Sequence, residues 1–498
     1  MSEKKFNILW IMADQLRADC LGFMGNAVVQ TPNLDKLANR SIVFTNTFCQ
    51  SPACMASRAS VFTGRYPSTI RIRGMGILPP NETTIAEILR KNGYHTAASG
   101  KIHFTPEQYT KNQLKSDIPI IDWKKFVKDA KIEEIPQDRM KENYGFEQYI
   151  GCEDILLGNF YSWLVENYPE LSNKKKEPFS PEGPGDLFVS PYPSEAHPTT
   201  FITKQAEIFI NSLKDKKPWF VFCSFIAPHH PFEAPQDQID RYDERDIPLP
   251  EEKGGVDASF IPEPAKSAIG EITRYSKDIQ RRIVLHYFAS ISLIDDCIGR
   301  LIDLLKGTGQ FDDTLIVFTS DHGEFLGNHT LLRKPSIHFD EVLKVPLLMK
   351  LPGRFSKKKV FDGLMELVDV CPTILGFLQI PANPGLQGID WSTSILDGSF
   401  SGRTSIYCEM YHIRPLFGTL AGPYTSVMTI RTLEWKLNIY PEAGIQYGQL
   451  FNLKEDASES KNLYSHPQYR TIKEEMLWEL SRRRFLMADP LPLWLTQY

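Results

Sequence analysis

Five short apolar runs constrain this chain more than any other feature. They are Phe6–Met12, Ile42–Phe44, Trp219–Phe225, Thr314–Thr319 and Val345–Met349. Each is apolar almost throughout, without polar alternation, the pattern of strands buried on both faces of a parallel sheet. Helical patterns lie between them. Asn33–Ala38 is one, and Thr84–Asn92, closed by Gly93, is another. The clearest runs from Arg281 to Lys306, with Ile283, Tyr287, Ile291, Ile294, Ile298, Leu301 and Leu305 on one stripe and Gly307 as its stop. Alternation of this kind implies an α/β fold, a large doubly wound mixed sheet flanked by helices.

The chain has 498 residues, long for one compact core. After about Leu396 the pattern changes. Val427–Thr432, Lys436–Tyr440 and Gln449–Leu453 read as antiparallel strands, followed by a helix from about Pro467 to Arg484. The expected division is a catalytic domain over 1–395 and a smaller C-terminal α+β domain over 396–498, carrying a short antiparallel sheet. Within the first domain, 105–198 reads as a long irregular insertion near the site. Its Lys174-Lys175-Lys176 run is read as a solvated loop. Pocket walls are expected from this insertion, from Met75–Leu78 and from the C-terminal domain. The aromatic tail Pro490–Tyr498 reads as a final core patch, with a subunit contact, and so a homo-oligomer, as the alternative.

Composition sets what the partner is not. Apolar residues make up 42 % and charged residues 23 %, with a net charge of -5. The slight acidity argues against nucleic acid, which needs a basic face. An anionic substrate must then be held by a local cluster of cations. The eight cysteines are scattered without a CxxC pair. That pattern suggests a reducing compartment, with the cytoplasm as default. Phe6–Met12 follows lysines, but it is short, ends in Asp14 and precedes no small-residue cleavage site. It reads as a buried first strand rather than a leader. No stretch has the length of a membrane span.

Polar residues gather where these strands end. Ligands of open α/β sheets bind beyond the carboxyl ends of the strands. Asp14-Gln15 follows the first run, Pro228-His229-His230-Pro231 the third, and Asp321-His322-Gly323-Glu324 the fourth. Alone, Asp14 reads as a helix cap and His322 as a satisfied loop histidine. Together, Asp14, Gln15, Asp321 and His322 make a four-ligand divalent metal site: two carboxylates supply charge, and an amide oxygen and an imidazole complete the shell. Gly100-Lys101-Ile102-His103 ends another strand-like run, Tyr94–Ser99, and Arg333-Lys334-Pro335 follows the second metal pair.

Cys54 completes the set. It sits at the expected start of a short helix, with Arg58 four residues on, and both a helix N-terminus and a guanidinium favour negative charge. A lone cysteine there reads as a buried core thiol. With the polar clusters above, it reads as a nucleophile for an anionic ester.

These residues resemble the type I sulfatase family of the alkaline phosphatase superfamily, in order through most of the chain. Asn7 through Gln15 resembles its first metal motif, and Cys54 through Gly64 the signature whose cysteine becomes formylglycine. Gly100-Lys101-Ile102-His103 resembles its GKxH element, Ala227 through Pro231 its PHxP element, and Thr319 through Gly327 its second metal motif. Lys334 resembles the lysine that contacts the ester, and Leu450 through Leu463 the closing motif. The resemblance implies metal-dependent hydrolysis of sulfate esters, of the sulfated sugar or aryl sulfate class. The metal ligands would be Asp14, Gln15, Cys54 as formylglycine, Asp321 and His322, around one calcium or manganese ion. The catalytic set would be Cys54, Arg58, Lys101, His103, His229 and Lys334. Arg58 would fix the hydrated aldehyde, and Lys101, His229 and Lys334 would clamp the ester oxygens. His229 or Lys334 would protonate the leaving oxygen, and His103 would take a proton from the remaining hydroxyl.

The chain departs from the family pattern at three positions. Ala56 stands where the signature has proline, a variant compatible with maturation by anaerobic radical enzymes. Gln15 and His322 replace the usual aspartate and asparagine, a combination that resembles the phosphonate monoester and phosphodiester hydrolase branch. Imidazole suits manganese better than calcium. The alternatives are therefore a phosphonate monoester or phosphodiester hydrolase on the same site, and a non-catalytic anion-binding protein with unmodified Cys54.

Overall fold

The first strand, β1 (Asn7–Ala13), contributes to two of the three apolar cores found among the described residues. Strand residues alternate between sheet faces. Ile8, Trp10 and Met12 therefore enter one apolar cluster, while Leu9, Ile11 and Ala13 enter the other. Six of these seven residues fully buried and apolar leave no solvent face, which is why the run shows no polar alternation. The computed structural model describes residues 5–489 apart from 73, 75–77, 105–141, 155, 157, 175–178, 181, 216–217, 251–255, 264, 356 and 412–424. The readings made for residues 75–77, for 105–141, for Lys175 and Lys176, and for the tail 490–498 lie outside them.

The strands that follow are β2 (Ile42–Phe48), β3 (His95–Gly100), β4 (Gln148–Gly151), β5 (Leu187–Val189), β6 (Trp219–Ser224), β7 (Phe232–Ala234), β8 (Thr314–Ser320), β9 (Lys344–Lys350), β10 (Lys359–Phe361) and β11 (Met365–Glu366). Among the described residues, β1 and eight of these form a nine-stranded sheet in the order β10-β2-β9-β8-β1-β6-β3-β4, with β11 also on β2, while β5 and β7 pair apart. β1 lies between β6 and β8, parallel to both, so three polar strand ends emerge side by side. One direction differs from expectation. β9 runs antiparallel to both β2 and β8, because an apolar run encodes burial and not direction. The irregular reading of 105–198 also needs correction. β4 extends the sheet there, and its half-exposed edge position leaves it no apolar run to recognise.

Helices cover both faces. α1 (Pro32–Ala38), α2 (Cys54–Thr63) and α3 (Ile85–Lys91) precede α4 (Pro198–Leu213), α5 (Lys277–Gly307) and, near the end, α6 (Arg470–Leu486). α5 begins four residues earlier than the stripe implies, because Ser276 caps it by accepting from the Ile279 N–H. All seven stripe residues are buried. α2 packs on the opposite face, where Phe62 stacks on Trp10 at 5.1 Å. Burying an aromatic ring of this size contributes about 2 kcal/mol, so the Trp10 contact anchors α2 to β1.

The C-terminal region holds the expected antiparallel sheet, in the order β12 (Ile406–Met410), β13 (Val427–Arg431), β14 (Trp435–Ile439) and β15 (Gly448–Asn452). β12 was not legible as a strand. α6 lies against β13 and β14. Among the described residues, no helix is long and apolar enough to cross a membrane.

Candidate active site

Four buried side chains converge at the carboxyl end of β1 and β8. Asp14, Cys54, Asp321 and His322 each offer a ligand atom, and these atoms all lie within 4.8 Å of one another. Asp14 follows β1 and Asp321-His322 follow β8, so the parallel pairing of the two strands brings them together. Gly323 permits this turn: a Cβ there would lie 1.9 Å from the Glu341 carbonyl oxygen. Cys54 arrives from the other side as the first residue of α2, where the helix leaves unpaired N–H groups. Its Sγ is 3.2 Å from His322 Nε2 and 3.6 Å from Asp14 Oδ1.

Three cations balance the carboxylates. Arg58 donates through Nε to Asp321 Oδ2 at 2.7 Å and through Nη2 to Asp14 Oδ2 at 3.3 Å. Its Nη1 donates to the Lys101 carbonyl and to Ser224 Oγ. Lys101 Nζ lies 2.7 Å from Asp14 Oδ2 and 2.6 Å from Asp154. Gly100 sets that position, with φ of 90° and no room for a Cβ beside the Ser224 carbonyl oxygen, 1.9 Å away. Lys334 Nζ donates to Cys54 Sγ at 2.8 Å and to His322 Nε2 at 2.9 Å.

Protonation follows from this geometry. His322 Nδ1 donates to the Gly323 carbonyl at 2.8 Å, which leaves Nε2 as a lone pair aimed at Cys54. Burial, then Lys334, pushes His322 down to about 4, so the ring is neutral. Burial alone would raise Asp14, yet Lys101, His229, Arg58 and Lys334 hold it well below the usual carboxylate range. Burial and the Asp14 charge push the Cys54 thiol up to about 12. As a thiol, residue 54 is protonated and a weak nucleophile at neutral pH.

The other expected residues surround this cluster. Gln15, left-handed at φ 62°, is pinned by its N–H donating to Asp321 Oδ1 at 3.0 Å. Its Oε1 is buried without a hydrogen-bond partner among the described residues. His103 Nδ1 is in the same position, and burial followed by Lys101 lowers its pKa to about 3. His229 donates through Nδ1 to the His230 carbonyl at 2.5 Å, and burial with Lys334 lowers it well below its ordinary value. It acts electrostatically on both Asp14 and Asp154.

Sequence reasoning missed several participants. Ser57 donates to the Asp321 carbonyl at 2.6 Å, and Ser224 accepts from Arg58. Ser224 closes β6, so the strand-end argument could have found it. Asp154 and Glu153 sit in a loop with no spacing signal. Glu153 accepts the Ile102 and His103 N–H groups at 3.1 and 3.2 Å and fixes the left-handed His103, while burial raises its carboxyl to about 7.

The donor set fits a divalent cation. Two carboxylates and a neutral imidazole whose Nε2 carries no hydrogen converge with Cys54, and the adjacent Gln15 keeps a buried amide oxygen without a partner among the described residues. A cavity of about 550 Å³ opens elsewhere, between Trp391, Arg403 and Arg483. Arg403 and Arg483 are already paired with acids, so we place the chemistry at the cluster.

This arrangement, in which buried cations surround converging ligands at a strand-end crevice, defines a hydrolase of anionic esters. The chain belongs to the sulfatase family, whose profile matches residues 6–380, and with it to the sulfuric ester hydrolases. The profile of the N-sulphoglucosamine sulphohydrolase C-terminal family matches residues 327–485. An arylsulfatase of Clostridium perfringens is 30% identical over 491 residues, covering 94% of this chain and 92% of the relative. A multifunctional alkaline phosphatase superfamily protein of Trinickia caryophylli is 29% identical, covering 95% of each. The fold is shared with the phosphonate monoester hydrolase of Agrobacterium radiobacter, at a TM-score of 0.79 and 23% identity over 97% and 96% of the two chains. The family implies a divalent metal and an anionic ester as substrate.

Proposed function

We propose that the protein hydrolyses sulfate esters through a formylglycine made from Cys54 by a maturation enzyme. The observation that carries this reading is the placement of Sγ among Asp14, Asp321 and His322, with Lys334 2.8 Å away. Asp14, Gln15, Asp321, His322 and residue 54 would hold the cation. When bound, it would polarise the ester and lower the pKa of a hydroxyl at residue 54. The thiol itself, pushed up to about 12, is a poor nucleophile, which supports conversion to an aldehyde whose hydrate offers a hydroxyl.

The chain's own groups then share the remaining work. Arg58 holds Asp14 and Asp321 in register beneath residue 54. Lys101 and Lys334 bind the ester oxygens, where their fixed positive charge stabilises the developing negative charge, and His229 joins them once the bound anion draws a proton onto its Nε2. Lys334 protonates the leaving oxygen. The assignment favours Lys334 over His229, because the Nδ1 hydrogen of His229 is committed to the His230 carbonyl and the free ring is neutral. His103, neutral and with Nδ1 unpartnered, takes a proton from the second hydroxyl and releases sulfate.

Mass spectrometry of the peptide 51–65 tests the nucleophile. Replacement of the thiol by an aldehyde oxygen is expected in protein from its native host. An unchanged cysteine in an active preparation would sink the mechanism.

A second reading is phosphonate monoester hydrolysis, favoured by Gln15 and His322 in the ligand set. Comparing kcat/KM on an aryl sulfate and an aryl phosphonate monoester separates the two. The His322 imidazole favours manganese over calcium, so reconstitution with manganese is expected to give the higher turnover.

A further inference from the structure

A carboxylate presents an acceptor however it is turned, but an amide does not. Rotated by half a turn, Gln15 would offer two N–H donors where a cation needs an oxygen. Something must therefore fix the amide. Gln15 Nε2 donates to Glu324 Oε2 and lies 3.2 Å from His230 Nδ1. Both amide hydrogens have acceptors, while Oε1 is left buried and unpartnered among the described residues. The Gln15 backbone is held as well. Its N–H donates to Asp321 Oδ1, and its carbonyl accepts from Tyr287 Oη at 2.6 Å.

Glu324 is equally well fixed. It is fully buried, and Oε1 accepts the Leu326 N–H at 2.9 Å and the Arg333 N–H. Its other oxygen is thereby aimed at Gln15. Glu324 is not one of the four groups that converge on the ligand point.

We propose that Glu324 is a positioning residue that locks the Gln15 amide so that Oε1, and not the NH2 group, faces a divalent cation at the Asp14–Cys54–Asp321–His322 cluster. The proposal rests on the cation reading given above. It also explains how a neutral amide serves where a carboxylate would bring charge: Glu324 supplies the negative charge one hydrogen bond further out. Through Oε1 the same carboxylate grips the backbone beside Lys334, so it orients a ligand and steadies the neighbouring ester contact together.

The test is equilibrium binding of manganese(II) to chelator-stripped protein, read by calorimetry and by the free manganese(II) signal in electron paramagnetic resonance. E324Q keeps the shape but turns an acceptor toward the amide into a donor. Gln15 is then expected to flip and bring its NH2 to the cluster, weakening binding by about 10- to 100-fold, the usual cost of losing an outer partner of a ligand. Q15E sets two carboxylates against each other and also weakens it. In Q15E/E324Q the donor and acceptor are exchanged and the total charge is kept, so affinity is expected within about threefold of the parent protein.

Manganese(II) affinity unchanged in E324Q, or a double variant no better than Q15E, overturns the proposal. Circular dichroism of the metal-free proteins checks the fold. If E324Q alone is not recovered folded, the comparison of Q15E with Q15E/E324Q still decides, since only the lock predicts a gain from the second substitution. Parent protein that binds neither manganese(II) nor calcium(II) would instead sink the cation reading, and the lock with it.

Discussion

Helix α2 connects two buried charge clusters that look alike in composition and differ in what they leave unused. At its N-terminus stands the Asp14–Arg58–Lys101–Asp321 cluster around Cys54. Just past its C-terminus, Tyr66 joins Glu366, Asp369, Arg403 and Arg483. In the second cluster Glu366 accepts from Arg483, Tyr407 N–H and Tyr66, and lies 3.3 Å from Arg403. Asp369 accepts from Arg403, the Ile389 N–H and the Trp391 indole. None of these side chains has a buried polar atom without a partner. The first cluster leaves Gln15 Oε1, His103 Nδ1 and Glu153 Oε2 without one. Buried polar groups are costly when unpaired. Unpaired polar atoms beside the converging Asp14, Cys54, Asp321 and His322 fit a ligand-binding site, whereas the saturated set is a clamp that joins the sheet to the C-terminal region.

That contrast can be broken by substitution. Cys54→Ala is expected to lower turnover by at least about a thousandfold, since the other groups act through this residue, with little change in melting temperature. A melting loss as large as that of a clamp variant would erase the distinction. Glu366→Gln should do the opposite. Uncompensating two buried arginines is expected to cost about 3 kcal/mol of stability, read as a lower urea midpoint, with kcat of the folded fraction unchanged.

Metal removal separates the clusters by a smaller amount. Chelation should abolish turnover and remove stability of about 2.7 kcal/mol at a cation concentration a hundredfold above Kd. Clamp variants should show that same increment, because their lesion is elsewhere. A chelator-resistant melting temperature would contradict the site reading.

The smallest effect is a pH dependence. In unconverted, metal-free protein the Cys54 thiol sits at about 12, so alkylation by iodoacetamide should rise tenfold per pH unit between 7 and 9 without levelling. The sign for stability follows. The folded thiol keeps its proton where the unfolded one, with pKa about 8.5, loses it, so stability is unaffected below that pH and falls above it. A labelling plateau near pH 9 would mean that Asp14 and burial do not act on this sulfur.

The strand ends made much of this legible. Asp14 and Asp321-His322 could be brought together on paper because polar residues follow these apolar runs, and neighbouring parallel strands bring such ends side by side. Burial was readable from Ile8 to Met12, but the antiparallel course of β9 was not, because Val345–Met349 has the same composition whichever way it runs. β4 escaped because an edge strand with half-exposed residues carries no run. Asp154 and Glu153 escaped because a loop delivers them: their pairing with Lys101 and with the His103 backbone depends on the path of the chain and on no spacing. Gln15 was read as a ligand from its place, whereas the acceptor that orients it, Glu324, was visible only once Gln15 and Glu324 were seen side by side.

Every residue of α2 is buried, and Cys54 at its tip lies behind Lys334. Residue 54 in the folded protein is therefore presented to a modifying enzyme as a buried helical position, not as an extended segment. On the reading proposed above, editing of residue 54 would then run while the chain is still open, in a race between two clocks: the closing of the sheet over this helix and the arrival of the editor. A copy that closed first would be sealed with sulfur in place, and only unfolding would return it to the queue.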